Sequence, residues 1–209
     1  MPPASPPASD LIWTPRKGPA RPSPRLDPLD RTMADRFPEL IVHQGITLCG
    51  GRVLYTAQVQ ASAAPCLVLF IEAAAFRSPE QRAKFLEGMA AVQALSHPHL
   101  LELLWMGERE GCVCLGYEAF TGQSLLTMMS QYSLPPPLVV SITGAIGDAL
   151  HRAQQQGIIH RDLGTPGILV NRAGFAKLVG IGLSPLLMVS DQPQDRDGDS
   201  GSGPADAGR

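Results

Sequence analysis

The sequence of 209 residues lacks the features that mark several specialised classes of protein. Its formal net charge is only −2, and acidic and basic residues are mixed along the chain, so the clustered basic face of a nucleic-acid-binding protein is missing. The longest apolar candidate, LVVSITGAIGDAL, is interrupted by Asp148 and is too short to span a bilayer. The first residues lack the basic start and apolar run of a signal peptide. We therefore expect a cytoplasmic protein with no nucleic-acid or membrane partner.

Cysteine is scarce as well, and its spacing argues against a metal site. The four cysteines, Cys49, Cys66, Cys112 and Cys114, lie in apolar, strand-like segments. A structural zinc site needs about four ligands in tight pairs, and Cys112 and Cys114 have no second pair to work with. We predict buried free thiols in a reducing compartment and no bound metal.

Proline is plentiful but concentrated at one end of the chain. About half of the prolines fall in residues 1–37, where large apolar residues are few. Such a segment cannot bury enough apolar surface to offset its conformational entropy, so we predict that residues 1–37 are disordered. The polar, Gly- and Asp-rich residues 190–209 are predicted to be disordered too. An alternative for the N-terminal tail is that PPASPPASD and PARPSPRLDP dock into an aromatic-lined groove of another protein.

Between the tails, hydrophobic periodicity predicts strands first and helices later. LIVHQGITLCGGRVLYTAQV alternates apolar and polar residues around Gly50–Gly51, which predicts a hairpin, and CLVLFIEA predicts a buried strand. SPEQRAKFLEGMAAVQALS predicts a helix capped by Ser78, with Pro79 at its first position and Gln81 completing a capping box. Two further strands flank the Glu108–Gly111 turn.

The second half of the domain reads as mainly helical. GQSLLTMMSQYS and PPPLVVSITGAIGDALHRAQQQG predict two helices, and a hairpin follows around Asn171–Gly174. The order of elements predicts an α+β fold with two parts. Residues 38–121 form a small antiparallel sheet with one helix, and residues 122–189 form a mainly helical part.

One stretch, IIHRDLGTPGILV at residues 158–170, resembles the catalytic loop of a protein kinase. His160, Arg161, Asp162 and Leu163 match the H-R-D-L motif, and an apolar strand follows. SHPHLLELLWMG, LGYEAFTGQSL and DALHRAQQQGIIHRDL are similar to other segments of bacterial-type serine/threonine kinases. The resemblance covers roughly residues 39–188 and implies a protein kinase-like fold, with residues 38–121 as the N-lobe and residues 122–189 as a truncated C-lobe.

The resemblance also implies roles for individual residues. Asp162 corresponds to the residue that accepts the proton of the acceptor hydroxyl, although His160 and Asp162 can equally well fix the loop by hydrogen bonds to backbone. Arg161 corresponds to the partner of a phosphorylated activation loop, and here we expect it to bind a carboxylate or solvent. The hinge equivalents are Tyr117 at the gatekeeper position and Glu118 to Phe120, where adenine would contact backbone.

Most groups that would contact phosphate or metal are missing from the matching positions. Thr47, Cys49 and Arg52 fall on the three glycine positions of the phosphate-covering loop, and only Gly50 and Gly51 keep some of its flexibility. Five further positions have lost the lysine of the third strand, the helix glutamate, the catalytic-loop lysine and asparagine, and the metal-binding aspartate. These positions are, in that order, Leu69, Gly88, Gly164, Gly167 and Gly180.

This pattern of loss favours a pseudokinase, a catalytically inactive kinase-like domain that acts as a binding or regulatory module. We expect no cofactor, or at most weak ATP binding without the usual magnesium ligands. One alternative is a weak serine/threonine kinase or ATP-binding domain that uses Asp162. The other alternative is docking through the proline-rich N-terminal tail.

The truncated C-lobe also suggests a surface for a partner. In the family, further helices cover the apolar stripe of the helix that corresponds to residues 138–156. The stripe here consists of Ile142, Ile146, Ala149, Leu150 and Ala153. We expect this stripe to be exposed, which leaves two interpretations. Either a protein partner or a second copy of the chain covers the stripe, or the chain is a degenerate remnant that folds poorly.

Overall fold

The computed structural model describes the backbone of residues 14–15 and the whole of residues 31–32 and 34–183. The predicted tail at 190–209 and most of the predicted tail at 1–37 lie outside these residues. None of the helices in the described part of the chain is long and apolar enough to cross a membrane.

The first strand, β1 (Thr14–Pro15), has only two residues. The next five strands are β2 (Leu40–Thr47), β3 (Val53–Val59), β4 (Pro65–Glu72), β5 (Leu103–Arg109) and β6 (Cys112–Tyr117). They form an antiparallel sheet in the order β2-β3-β4-β6-β5. Strand β4 is central and is covered on both faces, which is why its sequence is almost uninterruptedly apolar. The hairpin predicted around Gly50–Gly51 is confirmed, since a short 3₁₀ turn there joins β2 to β3.

Helix α1 (Pro79–Gln93) packs on the inner face of this sheet and begins as its sequence predicts. Ser78 Oγ accepts a hydrogen bond from the Gln81 backbone N–H at 3.2 Å. Gln81 Oε1 also reaches back past the start of the helix and accepts from the Arg77 N–H at 2.6 Å. The helix buries Phe85, Met89 and Val92.

The second part of the fold contains two helices and short strands. Helix α2 (Leu125–Gln131) is capped by Ser124, and helix α3 (Pro136–Gln155) follows it. The short strands are β7 (Gln123–Ser124), β8 (Tyr132–Ser133), β9 (Ile168–Val170) and β10 (Ala176–Leu178). Strands β10, β9 and β7 form a small antiparallel sheet, and the hairpin predicted around Asn171–Gly174 is confirmed by β9 and β10.

The outer face of the first sheet is covered by a segment that the sequence placed in a disordered tail. Residues 31, 32 and 34 are helical, and Phe37 is buried with its ring 5.8 Å from that of Phe70. The guanidinium of Arg109 lies over the Phe37 ring, 5.8 Å from its centroid. The prediction of disorder up to residue 37 is therefore wrong for its last residues, because this apolar side chain closes a second core on the sheet.

The apolar stripe of α3 is buried within the chain itself. Ile142, Ile146, Ala149 and Ala153 are each at most 4% exposed, and Leu150 packs partly against the same core. The helix lies against β10, so the C-lobe hairpin supplies the cover that we expected from elsewhere. The prediction of an exposed stripe is wrong. The exposed apolar residues of α3 are instead Val139 and Val140.

Candidate functional site

The predicted catalytic loop lies between α3 and β9 and is anchored by the side chain of His160. The imidazole is buried, and its Nε2 donates a hydrogen bond to the backbone oxygen of Val179 at 3.0 Å. Burial lowers the pKa of His160. A neutral ring is thereby favoured, and His160 ties the loop to the segment just before Gly180.

Arg161 bends the chain so that its neighbours point in different directions. Its φ of +59° lies in the left-handed region that residues with a Cβ seldom adopt. The turn is closed by a hydrogen bond from the Asp162 N–H to the His160 oxygen at 2.9 Å. As a result His160 is buried, Asp162 is partly buried, and Arg161 and Leu163 are exposed.

Asp162 is held by an arginine that comes from the other lobe. Arg52 Nη2 donates to Asp162 Oδ2 at 3.1 Å, with the two side chains 17% and 27% exposed. Arg52 directly follows the 3₁₀ turn Cys49–Gly51 that joins β2 to β3. Burial lowers the pKa of Arg52, and the nearby Asp162 carboxylate opposes this shift. The guanidinium stays charged at any ordinary pH, so this contact is an ion pair across the cleft between the lobes.

Cys49 brings the same turn into contact with the catalytic loop. A Cβ placed on Gly164 would lie 2.9 Å from Cys49 Sγ, and a Cβ on Gly167 would lie 3.9 Å from it. The missing side chains at these two positions therefore leave the space that Cys49 uses. Burial and the Asp162 carboxylate both raise the pKa of the Cys49 thiol, although its partners at Gly167 and Arg52 act in the opposite direction. The Cys49–Gly51 turn thus sits directly on the 3₁₀ turn Thr165–Gly167.

The hinge equivalents are largely engaged by the protein. Tyr117 is buried and belongs to the main core, and burial raises the pKa of its phenol. Glu118 Oε1 accepts from Lys177 Nζ at 2.6 Å and from the Glu102 N–H at 2.9 Å. The Glu118 N–H donates in turn to the Glu102 oxygen at 3.0 Å. Phe120 is half-buried beside the main core.

Three further positions lack the residue that contacts phosphate or metal, or supports such a contact, in the family, and they lie in different surroundings. Leu69 is fully buried on β4 between Leu54 of β3 and Leu115 of β6. Gly88 is exposed on α1, and an added Cβ there would meet no atom within 4 Å. Gly180 has a φ of +88°. Within the described residues, no three His, Cys, Asp or Glu side chains come together in a way that could hold a metal ion.

Gly182, two residues after Gly180, is held tightly against α1. Its φ is +81°, and a Cβ there would lie 2.7 Å from Val92 Cγ2. Only glycine fits this close approach in this conformation.

Two contacts of the site were missed by sequence reasoning. Arg52 was assigned only as a lost glycine, and the pairing of Lys177 with Glu118 was not foreseen. The sequence did contain a signal for the first contact. Arg52 places a large cationic side chain where the family has glycine, and the catalytic loop that faces it has glycine at Gly164 and Gly167. The signal for the second was weak, since the two residues lie 59 positions apart.

Comparison with known proteins places these features in a family. A family model described as protein tyrosine and serine/threonine kinase matches residues 51–204. The U-box domain-containing protein 34 of Arabidopsis thaliana is 29% identical over 157 residues, which are 72% of this chain and 18% of that protein. Serine/threonine-protein kinase PknE of Mycobacterium bovis is 32% identical over 107 residues, which are 51% of this chain and 19% of that protein.

A solved structure supports the fold independently. The crystal structure of the Mycobacterium tuberculosis PknI kinase domain has a TM-score of 0.59 and 22% sequence identity, and the match covers 69% of this chain and 59% of that domain. At this level of identity the likeness shows the fold alone. The chain spans less than a fifth of the curated relatives described above and about three fifths of the solved domain. Since the family model matches most of its length, the chain belongs to the protein tyrosine and serine/threonine kinase family.

Proposed function

We propose that this chain is a catalytically inactive member of the kinase family that acts as a binding or regulatory module. The observation that carries the proposal is the ion pair between Arg52 and Asp162, 3.1 Å long, which joins the two lobes across the cleft. Phosphoryl transfer depends on positioning of the reacting groups and on neutralisation of the charge on the phosphate. The described cleft lacks the side chains that usually provide these two effects.

The first difficulty for catalysis is the state of Asp162. A general base must reach the proton of the acceptor hydroxyl by a hydrogen bond. Here Oδ2 already accepts from the Arg52 guanidinium, and the Cys49–Gly51 turn lies over the loop on the same side. A hydroxyl would have to bond to the other carboxylate oxygen, beside the Arg52 guanidinium, or displace this pair before Asp162 could act on it.

The second difficulty is the phosphate and its metal. The side chains at Leu69, Gly164, Gly167 and Gly180 offer neither a cation nor a metal ligand. In this family, cations and magnesium neutralise the charge that develops on the transferred phosphoryl group. We therefore propose that the cleft has no magnesium-dependent cofactor and binds ATP weakly at most.

A weak protein kinase remains the alternative, and two observations favour it. The chain belongs to a kinase family, and Asp162 keeps its place in the loop with about a quarter of its side chain exposed. Opening of the Arg52–Asp162 pair would free the carboxylate for a hydroxyl substrate.

A phosphotransfer assay separates the two. The full chain is incubated with γ-labelled ATP, Mg²⁺ or Mn²⁺, and a broad peptide mixture, next to Asp162→Ala. Glu87→Ala serves as the matched control, because it also removes a carboxylate but on the exposed face of α1. We expect background labelling in all three. Incorporation by the wild type and Glu87→Ala that Asp162→Ala abolishes would establish the weak kinase.

Binding of a protein partner, or of a second copy, would use surface other than the buried stripe of α3. Val139 is 46% and Val140 is 72% exposed on this helix, and Leu126 and Met129 are similarly exposed on α2. We propose that this exposed face takes the place of the stripe as the binding surface. Light scattering of the wild type and of Val140→Asp tests self-association, which the charge would weaken.

A further inference from the structure

A short segment near the N-terminus is joined to the C-lobe by strand pairing. Thr14 and Pro15 form strand β1, which runs antiparallel to β8, with Thr14 opposite Ser133 and Pro15 opposite Tyr132. This contact lies far along the sequence from the N-lobe strands. Thr14 and Pro15 therefore lie at the C-lobe.

The same place on the C-lobe is hollow. A cavity of about 230 Å³ lies between α2 and α3, and its wall includes both β8 residues. Its lining is mainly apolar and includes Leu125, Met129, Leu134, Val139 and Ile142. Met129 and Val139 are about half exposed. A hollow of this kind, with apolar side chains left partly in water, is a surface that an apolar segment can cover.

The residues that precede β1 are suited to this cavity. Leu11, Ile12 and Trp13 are three consecutive large apolar residues in a part of the chain otherwise rich in Pro, Ala and Ser. In an antiparallel pair the partner numbers run in opposite directions, so a strand extended by one residue beyond the observed register would set Trp13 opposite Leu134. Leu134 is part of the cavity wall.

We propose that Leu11-Ile12-Trp13 is an intramolecular docking segment that occupies the groove between α2 and α3. The strand pair holds the segment at the rim of the groove, which gives it a high effective concentration there. A peptide of another protein would have to displace it. The large apolar surface of the indole suits an apolar cavity at its end.

Two parts of the N-terminal segment would then cover two apolar surfaces. Residues 11–13 would cover the groove between α2 and α3, and Phe37 covers the outer face of the N-lobe sheet. The inference does not depend on whether the cleft transfers phosphate.

The fluorescence of Trp13 tests the proposal in the full chain. The chain contains two tryptophans, so Trp105→Phe leaves Trp13 as the sole tryptophan. In that background Val139→Asp puts a charge into the groove, and Ile41→Asp puts the same charge on an equally exposed apolar residue of β2, which does not line the cavity. We expect Val139→Asp to shift the emission to the red and to raise the acrylamide quenching constant about twofold or more, because the indole enters water. Ile41→Asp is expected to change neither.

A second measurement guards against disturbance by Trp105→Phe, since the Trp105 ring packs closely on Gly116. The difference in emission between the wild type and Trp13→Phe reports Trp13 without altering Trp105. Circular dichroism confirms that each variant is folded, and light scattering gives its mass. Water-exposed emission of Trp13 in the wild type, or equal effects of the two aspartates, would overturn the proposal. Burial of Trp13 only in a dimer would also overturn it, since the segment would then dock onto a second copy.

Discussion

Arg52 occupies a position where the family has glycine, and this single difference alters the site. Its guanidinium reaches Asp162 from the opposite lobe, and Cys49 in the same turn fills space left by Gly164 and Gly167. The residues that are lost and the residues that are gained therefore fit one another. At the scale of the residue, the differences on the two sides of the cleft are complementary.

The coupling energy of the Arg52–Asp162 ion pair can be measured by a double-mutant cycle. Arg52→Ala, Asp162→Ala and the double variant are unfolded in urea together with the wild type. Because both side chains are partly buried, we expect a coupling energy between that of an exposed pair and that of a fully buried pair, about 1–2 kcal/mol. A coupling energy below about 0.3 kcal/mol, the limit of additivity for independent sites, would mean that the pair does not form in solution.

His160 predicts how stability depends on pH. Burial lowers its pKa in the folded state below the ordinary value of 6.5, so the unfolded chain binds the proton more readily. The contribution of His160 is therefore complete above pH 6.5 and is lost as pH falls from 6.5 toward the lowered pKa. We expect urea unfolding to show lower stability near pH 5 than near pH 7.5.

His160→Gln supplies the control for this prediction. The amide of glutamine can donate to the Val179 oxygen but does not titrate. The variant should lose part of the pH dependence between those two conditions. If its dependence on pH matches that of the wild type, the proton is taken up elsewhere.

At the scale of the element, the pattern of apolar residues predicted the strands, helices and hairpins well. The cap at Ser78 and the turns at Gly50–Gly51 and Asn171–Gly174 depend on local chemistry, which a sequence displays directly. Phe37 and the α3 stripe were misjudged because their environment depends on which distant element covers them. The pairing of Arg52 with Asp162 was missed for the same reason, since 110 positions separate the partners.

Replacement of glycine by alanine should have opposite effects on stability in β6 and in α3. On β6, a Cβ at Gly116 would lie 2.0 Å from the Trp105 ring, so Gly116→Ala forces the ring or strand to move and should cost about 1–3 kcal/mol. On α3, a Cβ at Gly144 meets nothing within 4 Å, so Gly144→Ala should stabilise by up to about 1 kcal/mol through helix propensity. Urea unfolding of both variants checks the pair. Equal effects would show that the packing of Trp105 on β6 differs from that described.

At the scale of the whole molecule, two ion pairs join the two lobes. Arg52 and Asp162 connect them at the catalytic loop, and Lys177 and Glu118 connect the C-lobe hairpin to the hinge. The second pair is also half-buried, and Lys177 donates to the Leu100 oxygen as well. Two separate ion pairs thus connect the lobes.

The most direct test of this account is the thermal stability of the full chain with ATP. A ligand that binds only the folded state stabilises it by RT ln(1 + [L]/Kd), so about 5 mM ATP at a site with a Kd of about 50 μM would add about 2.7 kcal/mol. For a chain of this size that would raise Tm by roughly 5–10 °C. Triphosphate at the same ionic strength is the control for a general salt effect. We predict no rise in Tm with ATP, with or without Mg²⁺, beyond that caused by triphosphate. A saturable rise with MgATP that the control does not reproduce would contradict the closed, inactive cleft.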